Sequence, residues 1–260
     1  MQKAASAGAL RRLRRQRLLA GAAVGCCIVA NVWTVSIAAP EPGSEGSLAG
    51  MGRVSAQVGL LSRPAPANTA KELEVVERGD GKLTPVAIPV GVLRSAPKGR
   101  DVRISIETEG GLPVDAEEFA TAVATTLSDA RGWQGVDKVR FVAASSAALA
   151  KGAQADVRIT LASPETTDRL CAPLRTRGQV SCHNGGRAVI NLRRWQLGAE
   201  AYGADLAGYR NYLVNHEVGH SLGHGHAFCA GNGEVAPVMM QQTYGLKGCS
   251  AWPWPSPKPA

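Results

Sequence analysis

The chain has 260 residues and a formal net charge of +8, a balance that suggests a nucleic-acid partner. The placement of the charge argues against one: Lys3, Arg11, Arg12, Arg14, Arg15 and Arg17 precede residue 40 with no acid among them, leaving about +2 for residues 40–260. A near-neutral remainder has no basic face with which to hold a phosphate backbone, so no nucleic-acid partner is expected.

Residues 1–17 read as a basic cytoplasmic tail, and the stretch LLAGAAVGCCIVANVWTVSIAA (18–39) carries no charge. As a helix it would run about 33 Å, enough to cross a hydrocarbon core of about 30 Å. Arginines before it and Glu41 after it orient the N-terminus to the cytoplasm and the bulk of the chain outside. We read a single-pass membrane anchor. A cleaved signal peptide, with small residues at Ser36-Ile37-Ala38 and a secreted product, is the alternative, and a lipid anchor at Cys26 is the weaker third reading. Cys26 and Cys27 lie in this segment. Cys171, Cys182, Cys229 and Cys249 remain, an even number that suits an oxidising compartment, and local spacing favours Cys171 with Cys182 and Cys229 with Cys249.

Residues 40–85, rich in Pro, Gly, Ser and Ala, read as a flexible linker, and 251–260 as a Pro-rich tail. Between them, residues 86–250 suffice for one domain with its own core. In DVRISIETE (101–109), Val102, Ile104 and Ile106 alternate with polar residues and predict a strand. Asp115 can cap a helix over AEEFATAVATTLSDARGW (116–133), where Phe119, Val123 and Leu127 recur every four residues. KVRFVAAS (138–145) and ADVRITLAS (155–163) are further strands, and GQVSCHNGGRAVINL (178–192) reads as two strands about Asn184-Gly185-Gly186. LAGYRNYLVNHEVGHSLG (206–223) reads as a helix with Val214, Val218 and Leu222 on its buried edge. The order β-α-β-β-β-β-α predicts an α+β fold: a mixed sheet of about five strands with two long helices packed on it.

Four of the five histidines fall within residues 216–226. His216 and His220 are four apart, so a helix projects both imidazoles from one face, where two nitrogens can reach one ion at about 2.0–2.1 Å. Glu217 is rotated by about 100° from His216 and is placed to act on water rather than to ligate. Gly223 can end the helix in a left-handed conformation and let the chain turn back, so that His226 completes a tripod. His224, four past His220, competes for that role and would hold it if the helix continued.

HEVGHSLGHGH (216–226) matches the HExxHxxGxxH motif of metzincin zinc peptidases in each specified position. Metzincins also carry a methionine turn beneath the metal, which Met239 or Met240 of APVMMQQTYG (236–245) can supply. The element order resembles the metzincin N-terminal subdomain, and VNHEVGHSLGHGH with APVMMQQT resembles, more narrowly, a metzincin-like family of actinobacterial envelope-anchored proteins. The resemblance implies Zn²⁺ held by His216, His220 and His226 with a water as fourth ligand. It implies Glu217 as general base, a small C-terminal subdomain after the active-site helix, and a peptide or protein substrate lying along the edge strand near Gln179–Cys182.

Some members place a tyrosine two residues after the turn methionine; here Gln241 and Gln242 come first and Tyr244 follows Met240 by four. That departure keeps open a rival reading, a zinc-holding scaffold that binds peptide or cell-wall components without cleaving them. Asp80 in RGDG (78–81) is a candidate latency ligand, with an Asp-Gly turn as the simpler assignment. Cys229, three past His226, suits a disulfide better than a metal pair. His183 reads as a loop residue, Trp133 and Trp195 as packing, and Trp252 and Trp254 as part of a loosely held tail.

Overall fold

The computed structural model of the chain describes residues 74–259. The basic tail 1–17, the candidate anchor 18–39 with Cys26, and the linker up to residue 73 lie outside the described residues. Among the described residues no helix is long and apolar enough to cross a membrane.

The fold is mixed α and β, built on strand β2 (Arg100–Glu109). Val102, Ile104 and Ile106 on one of its faces are each 1% exposed, as their alternation requires. Both edges of β2 are paired. On one side lies β4 (Val157–Ala162), parallel, with Ile106 opposite Ile159. The other edge is shared by β3 (Val139–Ala143), parallel with Val102 opposite Phe141, and β1 (Leu83–Val86), antiparallel with Val86 opposite Ile106. Strand β6 (Arg187–Asn191) continues the sheet parallel to β4, and β5 (Cys182–Asn184) closes it as an antiparallel edge. The sheet thus has six strands where five were expected, because Leu83–Val86, at the end of the expected linker, pairs with β2.

Helix α1 (Ala116–Ser128) provides the crossover between β2 and β3. Asp115 caps it by accepting from the Glu118 amide at 2.8 Å, and Phe119, Val123 and Leu127 form its buried stripe. It stops five residues short of the expected Trp133. Asp129 accepts from the Arg131 amide and the Gly132 amide bonds the Asp129 carbonyl, turning the chain before α2 (Trp133–Asp137) begins. Three more short helices follow, α3 (Ser146–Ala150), α4 (Pro164–Cys171) and α5 (Leu192–Leu197). Their only sequence signals are caps, at Ser145, at Ser163 ahead of Pro164, and at Asn191.

Helix α6 (Leu206–Ser221), capped by Asp205, is buried on nearly every side. It packs against β6, β5 and α1, and the chain beyond residue 235 covers it from the far side. The expected loose tail is part of that cover. Asn215 donates to the Pro253 carbonyl at 3.0 Å, and Trp254 is 5% exposed beneath the Arg131 guanidinium, 4.1 Å from its ring centre. An indole ring holds more apolar surface than a free tail can leave in water, which is why WPWP docks rather than dangles. Two disulfides staple the domain, Cys171–Cys182 between α4 and β5 and Cys229–Cys249 in the C-terminal segment.

Candidate metal centre

His216 and His220 leave α6 on one face, and their outer contacts fix which nitrogen each presents. His216 Nδ1–H donates to the Val238 carbonyl at 2.8 Å, and His220 Nδ1–H donates to the His224 carbonyl at 2.9 Å. Each ring therefore keeps its Nε2 lone pair free, the arrangement by which proteins orient ligating imidazoles. Burial depresses the basicity of both rings. The His216 value falls to about 4, with the neighbouring His220 and His226 adding to the effect of desolvation against the bond to Val238, and His220 shifts in the same direction. Both are neutral near pH 7, the form that binds metal.

The helix ends at Ser221, and Gly223, at φ +99°, turns the chain back. His226 then stacks beside His216 with ring centres 5.5 Å apart and lies 4.8 Å from His220. One ligand atom from each of the three rings lies within 4.8 Å of the others. His226, not His224, joins the cluster: the His224 ring stacks on Trp133 at 4.3 Å and its Nε2–H donates to Asp137.

Glu217 is 4% exposed and faces the same cavity as the three imidazoles. Desolvation alone pushes its carboxyl up to about 8; a dication within reach acts in the opposite sense and favours the carboxylate. A buried carboxyl that desolvation raises, in a cavity beside three imidazoles, is a candidate functional group.

The cavity, about 350 Å³, lies between α6, the edge strand β5 with Val180 and Ser181 ahead of it, and the turn at Gln241–Tyr244. Tyr244, 64% exposed, belongs to its wall in spite of its distance from Met240 in sequence. His183, read from sequence as a loop residue, is instead on β5. It lines the cavity with its ring centre 6.3 Å from His220, and its buried Nε2 has no hydrogen-bond partner among the described residues. The alternation of β5 turns Cys182 to the α4 side and His183 to the α6 side. A three-residue strand is too short for sequence periodicity to reveal this.

The two methionines separate. Met239 packs in the main core against Gly219 of α6, between His216 and His220, whereas Met240 joins Ala236 and Cys249 in the C-terminal cluster. The turn that carries them is pinned from below by α6 and by the turn Glu200–Tyr202 just ahead of it. Tyr212 donates to the Met240 carbonyl at 2.9 Å, Tyr209 bonds the Thr243 hydroxyl at 3.0 Å, and Tyr202 donates to Gln242 Oε1 at 2.8 Å. Gln242 is fully buried, and its amide nitrogen donates to the carbonyls of Pro237 and Trp252. The residue two past Met240 is therefore a brace, not a group that meets substrate. Asp80 lies elsewhere: its Oδ1 accepts from the Lys82 amide and its own amide bonds the Gly110 carbonyl, so RGDG is the Asp-Gly turn. Cys229 is bonded to Cys249 and is no ligand.

Residues 71–254, which span the whole of this architecture, match the sequence family described as protein of unknown function, DUF3152. The chain belongs to that family. The DUF3152 match begins inside the expected linker and ends at Trp254, in agreement with the docking of the tail. No curated protein and no solved structure matches the chain.

Proposed function

We propose that the DUF3152 domain of this chain is a metzincin-like zinc endopeptidase of the cell envelope. The observation that carries the reading is the convergence of His216, His220 and His226 to within 4.8 Å in a cavity shared with the buried Glu217. The donor set fits zinc. Three imidazoles, two of them oriented by backbone carbonyls, are a common zinc-ligand combination, and Glu217 stands beside them without a competing partner among the described residues. Zinc held there would supply Lewis-acid polarisation of a carbonyl and lower the pKa of water to about 7.

The chain's own groups do the remainder. Glu217 accepts the proton from the attacking water and delivers it to the departing amine. The outer edge of β5 offers main-chain donors and acceptors to an extended peptide. His183 and Tyr244 line the cavity that would receive the scissile bond. The paired cysteines support an oxidising compartment, and the N-terminal reading supports a membrane-held domain facing out of the cytoplasm, in contact with protein or peptide substrates.

Metal quantification on the full chain, followed by digestion of a peptide library, tests this. About one zinc per chain is expected, with cleavage blocked by a hydroxamate and lost in Glu217→Gln at unchanged zinc content. A wild-type chain that takes up no zinc overturns the reading. Zinc uptake without any cleavage transfers the site to the rival assignment, a binding domain for peptide or wall components.

A further inference from the structure

The arm that follows α6, Leu222–Ala227, carries the third proposed ligand, His226, and is short and glycine-rich, with Gly223 and Gly225 on either side of His224. Glycines bring no side chain to anchor such an arm and leave it the most backbone freedom to lose. Main-chain bonds tie its two ends, from the His224 amide to the Gly219 carbonyl and from the Ala227 amide to the Met239 carbonyl, each 3.0 Å, and its side-chain anchor is His224. Its ring is sandwiched against Trp133 at 4.3 Å, with an interplanar angle of 21°, and its Nε2–H donates to Asp137 at 2.7 Å. Trp133 is itself fixed, 3% exposed, with its indole N–H donating to the Asn215 carbonyl of α6 at 2.9 Å. The carbonyl of this same His224 orients His220, and His226 follows two residues later.

The back wall repeats the pattern. Val238, whose carbonyl orients His216, lines with His224 and Trp133 a second cavity of about 620 Å³ that shares no lining residue with the first. Both carbonyls that orient helix ligands therefore come from residues whose side chains face away from the proposed cleft.

We propose that Asp137, Trp133 and His224 form a clamp that sets the metal affinity of the centre, with Asp137 acting as a positioning residue through His224 on His220 and His226. The inference rests on the metal reading above. Without the clamp the three imidazoles remain in the chain, but the arm that carries His226 and supplies the carbonyl that orients His220 must be ordered by the metal itself, and the entropy of that ordering is subtracted from binding. Outer partners of this kind typically change metal affinity by about 10–100-fold.

The test is Zn²⁺ affinity of the full chain, measured by competition with a chromogenic chelator, for wild type, Asp137→Ala, Asp137→Asn, His224→Ala and the Asp137→Ala/His224→Ala pair. The alanine variants are expected to bind Zn²⁺ about 10–100-fold more weakly. Asp137→Asn, which keeps an accepting oxygen, should recover most of the loss, and the double variant should be no weaker than His224→Ala, since both act through one bond. Thermal unfolding in excess chelator should be close to wild type for Asp137→Ala, with the deficit appearing only when Zn²⁺ is present. Affinities within twofold of wild type, or a deficit of equal size with and without Zn²⁺, would overturn the clamp. A wild-type chain that binds no Zn²⁺ would overturn the metal reading and the clamp with it, so the two failures are distinct.

Discussion

Met239 Sδ stands 2.5 Å from where a β-carbon on Gly219 would lie, and Trp133 closes the same space from the other side at 2.7 Å. Gly219 is thus the point at which the histidine-bearing helix α6, the methionine turn and α2 meet without a side chain between them. Gly219→Ala gains helix propensity of about 1 kcal/mol. The sulfur can give way, but the indole, buried and bonded to Asn215, cannot. Overpacking typically costs about 1–3 kcal/mol, so a net loss of up to about 2 kcal/mol is expected, read as a lower midpoint in denaturant unfolding with an unchanged slope. A raised midpoint, the full propensity gain with no steric cost, would show that α6 and the turn are not in register as described.

Metal removal should separate the ligands from the base. A ligand that binds only the folded chain stabilises it by about 4 kcal/mol when present at 1,000 times its Kd. Excess chelator is therefore expected to lower the unfolding midpoint of the wild type and of Glu217→Gln alike. His220→Ala should begin near the chelated midpoint and show little further change on chelation. A His220→Ala chain as sensitive to chelator as wild type would place the metal elsewhere.

Far from the cavity, Glu109 makes acid a lever on the fold. It is 2% exposed at the end of β2 and accepts from the Ser163 amide at 2.7 Å, the Thr166 hydroxyl at 2.8 Å and the Gly81 amide at 3.0 Å. Desolvation works to raise its pKa, but these bonds together outweigh it and hold the carboxyl below the ordinary value. A carboxyl depressed in the folded state contributes stability that is complete above its unfolded pKa of about 4.3 and is lost as pH falls through the folded value. Unfolding free energy should thus decline on acidification below about pH 4. Glu109→Gln should lower stability by about 1–3 kcal/mol at pH 7, because an amide turns an N–H group towards donors, and should flatten the acid limb. Equal acid sensitivity in the variant would assign that limb to other carboxylates.

What the sequence discloses follows the length and period of each feature. The convergence of His216, His220 and His226 was legible because two of them repeat at the helix period and the third follows a glycine that must break that period. The strand around Ile104 and the helix around Val123 were legible for the same reason, since each is long enough to show its alternation or its stripe. Helices α2 to α5, none longer than eight residues, are too short to show a period; α3 to α5 reveal only their caps, and α2, which starts at Gly132 without a side-chain cap, reveals not even that. The contribution of His183 depends on which face of a three-residue strand it occupies. The carbonyls of Val238 and His224 are main-chain atoms whose role no residue identity encodes. Asp137 meets His224 across 87 residues, a contact that exists only once β3 and α6 have been placed by the sheet. Trp254 was misjudged because prolines on either side read as tail, while the Arg131 guanidinium that covers it arrives from the turn after α1.

The two disulfides offer a test of how the domain divides its labour. Chain-entropy arguments give each about 3 kcal/mol, with Cys229–Cys249 closing the longer loop. Their neighbourhoods differ. Cys229 lies three residues past His226, and Cys249 packs with Met240 and Ala236 beneath the turn whose carbonyls meet α6. Cys182 lies on the cleft edge, tied to α4 and remote from the ligands' outer contacts. Replacing Cys229 and Cys249 by serine should therefore lower both the unfolding midpoint and Zn²⁺ affinity, because the arm bearing His226 and the turn bearing Val238 lose their common tether. Replacing Cys171 and Cys182 should lower the midpoint by a similar amount, weaken peptide binding or turnover, and leave Zn²⁺ affinity within about threefold of wild type, since only β5 is loosened. Chelator competition and thermal unfolding on the two double variants check this. Equal losses of Zn²⁺ affinity in both would mean that the edge strand and the metal centre open as one cooperative unit rather than as separately stapled parts.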